Sequence, residues 1–119
     1  MAVSNRDRVG KALDLLQAGL APYVEREMQA RHGADWRGKV SATFPSGRPP
    51  ASLDVQALLN IMRECWPDVF SRKLSNEERT LVHELREVRN RWAHQQAFTF
   101  DDTYRALDSV ARLLQAVGA

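Results

Sequence analysis

A chain of 119 residues, 44% hydrophobic and 27% charged, can bury one core and is too apolar to stay disordered, so we expect a single domain over 1–119. Its net charge of +2 excludes strong nucleic-acid binding by whole-molecule attraction and leaves a local patch as the electrostatic route. A single cysteine excludes an internal disulfide and suits a reducing compartment.

The opening "MAVSNRDRVG" is polar, unlike a signal peptide, and no apolar run approaches the ~20 residues of a membrane span. A soluble, cytoplasmic protein with no membrane partner is the expectation. Helix signals dominate, and nothing reads as a strand. "SNRD" at Ser4–Asp7 has the form of a capping box and opens a helix with Val9, Leu13, Leu16 and Leu20 on one stripe. Pro22 suits the first turn of a second segment, "PYVEREMQARHG", with Gly33 just past its end; the alternative is one helix kinked at the proline. His32 is placed to meet the last carbonyls of that helix. Residues 41–52, "SATFPSGRPPAS", hold three prolines and a glycine and read as a flexible loop.

Ser52 is the expected cap of "LDVQALLNIMRECW", where Val55, Leu58, Leu59 and Met62 form an apolar stripe. Cys65 beside that stripe reads as a small buried hydrophobe, and Trp36 and Trp66 as core or interface anchors. After Pro67, "DVFSRKL" reads as a short turn or helix. "SNEE" at Ser75–Glu78 is a stronger capping box and starts a helix that runs to about His94. "TFDD" at Thr99–Asp102 begins the last helix, with Tyr104, Leu107, Val110, Leu114 and Val117 at helical spacing and Gly118 as terminator. Helices joined by mostly short connections predict an all-α, antiparallel four- to five-helix bundle. The close on "RLLQAVGA", without a polar tail, is read as the end of an N-terminal domain of a longer protein.

The helix ending at His94 concentrates the chemistry. At about 100° per residue, Leu81, Leu85, Val88 and Trp92 share a stripe that must face the core. His83, Glu87, Asn90 and His94 share the opposite one. Arg89 flanks the apolar seam, and Arg86 lies between it and the polar stripe. A plain solvated face is one reading. The other starts from Asn90 and His94, an i, i+4 pair whose amide can orient the imidazole. Arginine adds a planar fork suited to phosphate, and histidine shuttles protons near neutral pH. Metal chemistry is disfavoured: His83 and His94 stand about 16 Å apart along the helix, and the chain has no CxxC, HExxH or glycine-rich phosphate loop.

"RNRWAH", Arg89 to His94, resembles the RxxxxH signature of the HEPN superfamily, with a polar residue directly after the arginine. "ERTLVHELREVRNRWAHQQAFTFDDTYRALDSVARLL", Glu78 to Leu114, is similar to one HEPN branch in particular. That branch is found in a eukaryotic transcript-surveillance endoribonuclease and at the front of bacterial phage-defence ATPases of the phage-growth-limitation and BREX type. "SNRDRVGKALDLLQAGLAPYVEREM" is similar to the opening of those proteins. The resemblance implies a two-fold homodimer whose RxxxxH motifs share a cleft, and metal-independent cleavage of RNA without a cofactor. His94 would act as general acid–base, Arg89 would bind the scissile phosphate, and Asn90 would orient the histidine or contact the RNA backbone. Arg86 and Arg91 would add contacts to RNA. The 2′-hydroxyl would attack the adjacent phosphorus, giving 2′,3′-cyclic phosphate and 5′-hydroxyl ends. The rivals are a non-catalytic dimerisation or RNA-binding module, which other domains or subunits of a defence complex would accompany, and a stand-alone toxin-like protein.

Overall fold

The computed structural model describes residues 3–41, 47 and 52–119. Five helices, α1 (Asn5–His32), α2 (Trp36–Lys39), α3 (Val55–Glu64), α4 (Asn76–Ala93) and α5 (Phe100–Ala116), and a 3-10 turn at Phe70–Arg72 make up the described structure. No strand occurs among the described residues, so the all-α helical bundle is as expected. Most of the loop expected at 41–52, namely 42–46 and 48–51, lies outside the described residues.

Pro22 does not begin a second helix. α1 is a single helix of 28 residues with the proline inside it. Both halves are anchored: Val9, Leu13, Leu16 and Leu20 are buried before the proline and Tyr23, Val24 and Met28 after it. That burial outweighs the ~3 kcal/mol penalty of an interior proline. Ser4 caps the start by accepting from the Asp7 amide, and Gly33 (φ 85°) stops the end, a backbone conformation that favours glycine. His32 does not meet the helix carbonyls through its ring; its Nε2 pairs with Asp68 at 2.8 Å.

The helix expected to start after Ser52 starts instead after Asp54, whose carboxylate accepts from the Ala57 amide at 2.8 Å. Gln17 of α1 completes this cap by accepting from the Val55 amide at 3.1 Å. α3 therefore begins beside the middle of α1. The capping box of α4 forms as read, Ser75 with Glu78, and α5 starts after Thr99 as expected, with a capping box of its own between Thr99 and Asp102. The hydrogen bond from Arg86 to Asn60 holds α4 against α3. The pairs Arg91–Asp102 and Glu84–Arg105 set α4 and α5 antiparallel. α1 and α5 run in the same direction, with Asn5 meeting Phe98 and Gly19 meeting Leu114.

Two apolar stripes are corrected. On α4 the buried residues are Val82, Leu85 and Val88, while Leu81 and Trp92 are only partly buried against the core. On α5, Tyr104 and Leu107 do not face inward, being 71% and 38% exposed. The buried face of α5 is Thr103, Ala106, Ser109, Val110 and Leu113. Small residues there let the helix approach its neighbours closely, and Leu114 packs into the notch left by Gly19, where a Cβ would collide with it. Trp36, Trp66 and Cys65 are buried as expected. Burial pushes the Cys65 thiol up to about 11, helped by the charges of Asp68 and Glu64.

Candidate active site

Arg86, Arg89 and Asn90 come together where α4 lies against α3. With Gln56, Leu59 and Asn60 they line a recess of about 70 Å³. Its size suits a few water molecules and falls well short of a drug-sized ligand pocket of roughly 300–1,000 Å³. No carboxylate lines it. Asn60 Oδ1 accepts from Arg86 Nε at 2.9 Å, which fixes that guanidinium and leaves its terminal N–H groups available.

Arg89 makes no ion pair or side-chain hydrogen bond among the described residues. Glu84, a sequence neighbour able to neutralise it, pairs with Arg105 of α5 instead. Glu87 is exposed on the outer side of α4. A half-buried guanidinium without a counter-ion, beside a second arginine, is the electrostatic signature of a small anion site.

His94 is the C-cap of α4 and is exposed. It lies about 7.5 Å beyond Arg89 along the helix axis and does not line the recess. The Asn90 carbonyl accepts from the His94 backbone N–H at 3.0 Å, but their side chains are not hydrogen-bonded to each other. The helix closes with the Gln95 N–H on the Trp92 carbonyl at 3.2 Å and the Gln96 N–H on the Arg91 carbonyl at 2.9 Å. Gln95 takes the left-handed conformation (φ 58°) that this closure needs.

Arg91 is placed elsewhere. Its guanidinium bonds the Ala97 carbonyl and Asp102 Oδ2 and lies over the Phe98 ring at 4.8 Å. It ties the α4–α5 connection together on the side of α4 away from the recess.

Trp92, inside the same hexapeptide, reaches α1. Its Nε1 donates to the Arg6 carbonyl at 3.2 Å, and Arg6 Nη1 donates to the Trp92 carbonyl at 2.7 Å. The Arg6 guanidinium lies 4.7 Å above the indole. Arg6, Gln56 and Asn60 are absent from the sequence reading, because they join the motif from helices up to 86 positions away.

A model of the Swt1-like HEPN family matches residues 11–118, nearly the whole bundle. The chain belongs to the Swt1-like HEPN family. Neither a curated protein nor a solved structure gives a significant match. HEPN domains are, as a family, ribonuclease and RNA-binding domains. The hexapeptide Arg89–His94 spans the last turn and a half of α4, with arginine and asparagine in the recess and histidine at the open helix end. Among the described residues no three His, Cys, Asp or Glu side chains converge as a metal site, and no helix is long and apolar enough to cross a membrane.

Proposed function

We propose that this HEPN domain is a metal-independent endoribonuclease acting in phage defence or RNA quality control. The observation that carries this reading is the unpaired Arg89, held with Arg86 and Asn90 in a recess free of carboxylates. A phosphodiester would supply the missing negative charge. Arg89 would stabilise the charge that grows on the phosphoryl oxygens as the ribose 2′-hydroxyl attacks phosphorus, and Arg86 would contact the flanking RNA, whereas Arg91 is held by Asp102 and the Ala97 carbonyl. His94, exposed at the helix end, would move the proton.

One imidazole can either accept or donate at a given moment, so in-line cleavage needs a second proton carrier. A two-fold homodimer that brings the HEPN motifs together would supply it as the partner's His94. Positioned acid–base groups of this kind contribute ~10²–10⁴-fold to rate.

The exposure of His94 outside the recess in a single chain favours a second reading. In it the domain binds RNA or dimerises without cutting, at the front of a large defence ATPase. Incubation of a labelled single-stranded RNA with the protein in EDTA separates the two. The nuclease reading predicts cyclic-phosphate ends, lost in His94→Ala and Arg89→Ala while the helical signal and melting temperature persist. RNA bound but intact at dimer-forming concentration supports the module.

A further inference from the structure

α1 and the HEPN motif hold each other through a closed pair of hydrogen bonds. Trp92 donates from its indole to the Arg6 carbonyl, and Arg6 donates from its guanidinium to the Trp92 carbonyl, at 3.2 and 2.7 Å. The same guanidinium lies 4.7 Å over the indole ring. Gly10, one turn along α1, leaves the ring its seat: a Cβ there would come within 3.1 Å of Nε1. Three features of α1, a carbonyl, a cation and a missing side chain, thus address one residue of the motif.

The carbonyl that Arg6 grips also accepts the Gln95 N–H that closes α4. It belongs to the turn that carries His94, whose own ring has no partner among the described residues. A positive guanidinium at a helix C-terminus opposes the negative end of the helix dipole and resists fraying there.

We propose that Arg6 is a positioning residue for the motif and that Gly10 is the seat that lets it act. The clasp holds the last turn of α4 closed and fixes where the His94 backbone leaves the helix. Through its catalytic readout the proposal rests on the nuclease reading; its structural readout does not. Arg6 touches neither the recess nor His94 and acts through the Trp92 carbonyl.

Three variants test this: Arg6→Ala, Arg6→Lys and Gly10→Ala. Alanine is a better helix former than glycine, so Gly10→Ala would leave a structural role undisturbed or improved while nudging the indole by a few tenths of an ångström. Displacements near 1 Å at a reacting group cost about 10²-fold. The expected result is a saturated cleavage rate in EDTA reduced about 10-fold or more in Arg6→Ala and a few-fold in Gly10→Ala, with RNA affinity nearly unchanged. Lysine, which can reach the carbonyl but lacks the planar fork, recovers part of the loss.

Gly10→Ala keeps or raises the melting temperature. In parallel, hydrogen exchange at the Gln95 and Gln96 amides quickens about 10-fold in Arg6→Ala, with Leu85 unchanged, as local fraying requires. Exchange and rate equal to the parent protein in both Arg6→Ala and Gly10→Ala, or rate losses that only track melting temperature, overturn the proposal. If the parent protein leaves RNA intact, the nuclease reading fails and the exchange data alone decide the clasp.

Discussion

Replacing Trp92 by alanine tests whether the motif is built into the fold. A whole tryptophan buries 150–250 Å², so the partly buried indole removes on the order of 100 Å² from water, about 2.5 kcal/mol at ~25 cal/mol per Å². The indole N–H bond to the Arg6 carbonyl adds about 0.5–1 kcal/mol, a low value because that carbonyl remains in the α1 ladder. The stacked guanidinium adds about 0.5–1 kcal/mol at a site this open. Partial collapse of Arg6 into the vacated space offsets some of the sum, and we expect a loss of about 2–4 kcal/mol. For a chain of this length that corresponds to roughly 7–15 °C in melting temperature. Urea unfolding followed by circular dichroism measures it, with the dependence on denaturant unchanged so that the midpoint reports stability. Trp92→Phe retains most of the buried area and loses about 1 kcal/mol. A loss below about 1 kcal/mol in Trp92→Ala would refute the reasoning, since the ring would then contribute no more than an exposed side chain.

Three further outcomes follow from particular residues. Gln95→Gly should stabilise the protein by about 0.5–1 kcal/mol in the same unfolding assay, because relief of left-handed strain at φ 58° exceeds the added freedom of the unfolded chain. The Thr99 backbone N–H and the Arg91 guanidinium hold the Asp102 carboxyl below its ordinary range. A lowered folded-state value contributes stability that is present above the ordinary carboxylate range and lost as pH falls through the folded value. Unfolding between pH 3 and 7 should therefore show an acid limb that is shallower in Asp102→Asn. Cys65, buried and with its thiol pushed up to about 11, should react with a thiol reagent at pH 8 many times more slowly in the native protein than in urea, since the thiolate is the reactive form.

The helices were legible because their caps and apolar periods are local. Ser4 and Thr99 satisfy amides three residues on, and Glu78 accepts from the Ser75 amide three residues back; that spacing is written in the chain. The inward face of α5 was not, because Thr103, Ala106 and Ser109 become core by permitting close approach, a property of their neighbours. Pro22 left two helices or one kinked helix open for a similar reason: packing on both sides of it, which overrides a local preference, decides for one. Of the site, helical angle set Asn90 with His94 on the outer stripe and Arg89 beside the apolar seam, and the grouping of Arg86, Arg89 and Asn90 emerged only with α3 in place. The recess itself needed Gln56 and Asn60 of α3. Arg91 sits two positions from Arg89 in sequence, yet its contacts lie on the α5 side, with Asp102 and Phe98. The pairing of Arg6 with Trp92 had no signal in the sequence, because nothing local records a contact across 86 positions.

The central claim, that the ribose supplies the nucleophile while Arg89 and His94 manage charge and proton, is tested most directly by a pair of RNA oligonucleotides. One is all-ribose; the other carries a single 2′-deoxy residue on the 5′ side of the mapped cut, and both are incubated with the protein in EDTA. The account predicts equal binding, a cut ending in 2′,3′-cyclic phosphate for the first, and no cut at that bond in the second. Cleavage of the deoxy-substituted bond at a comparable rate would contradict it.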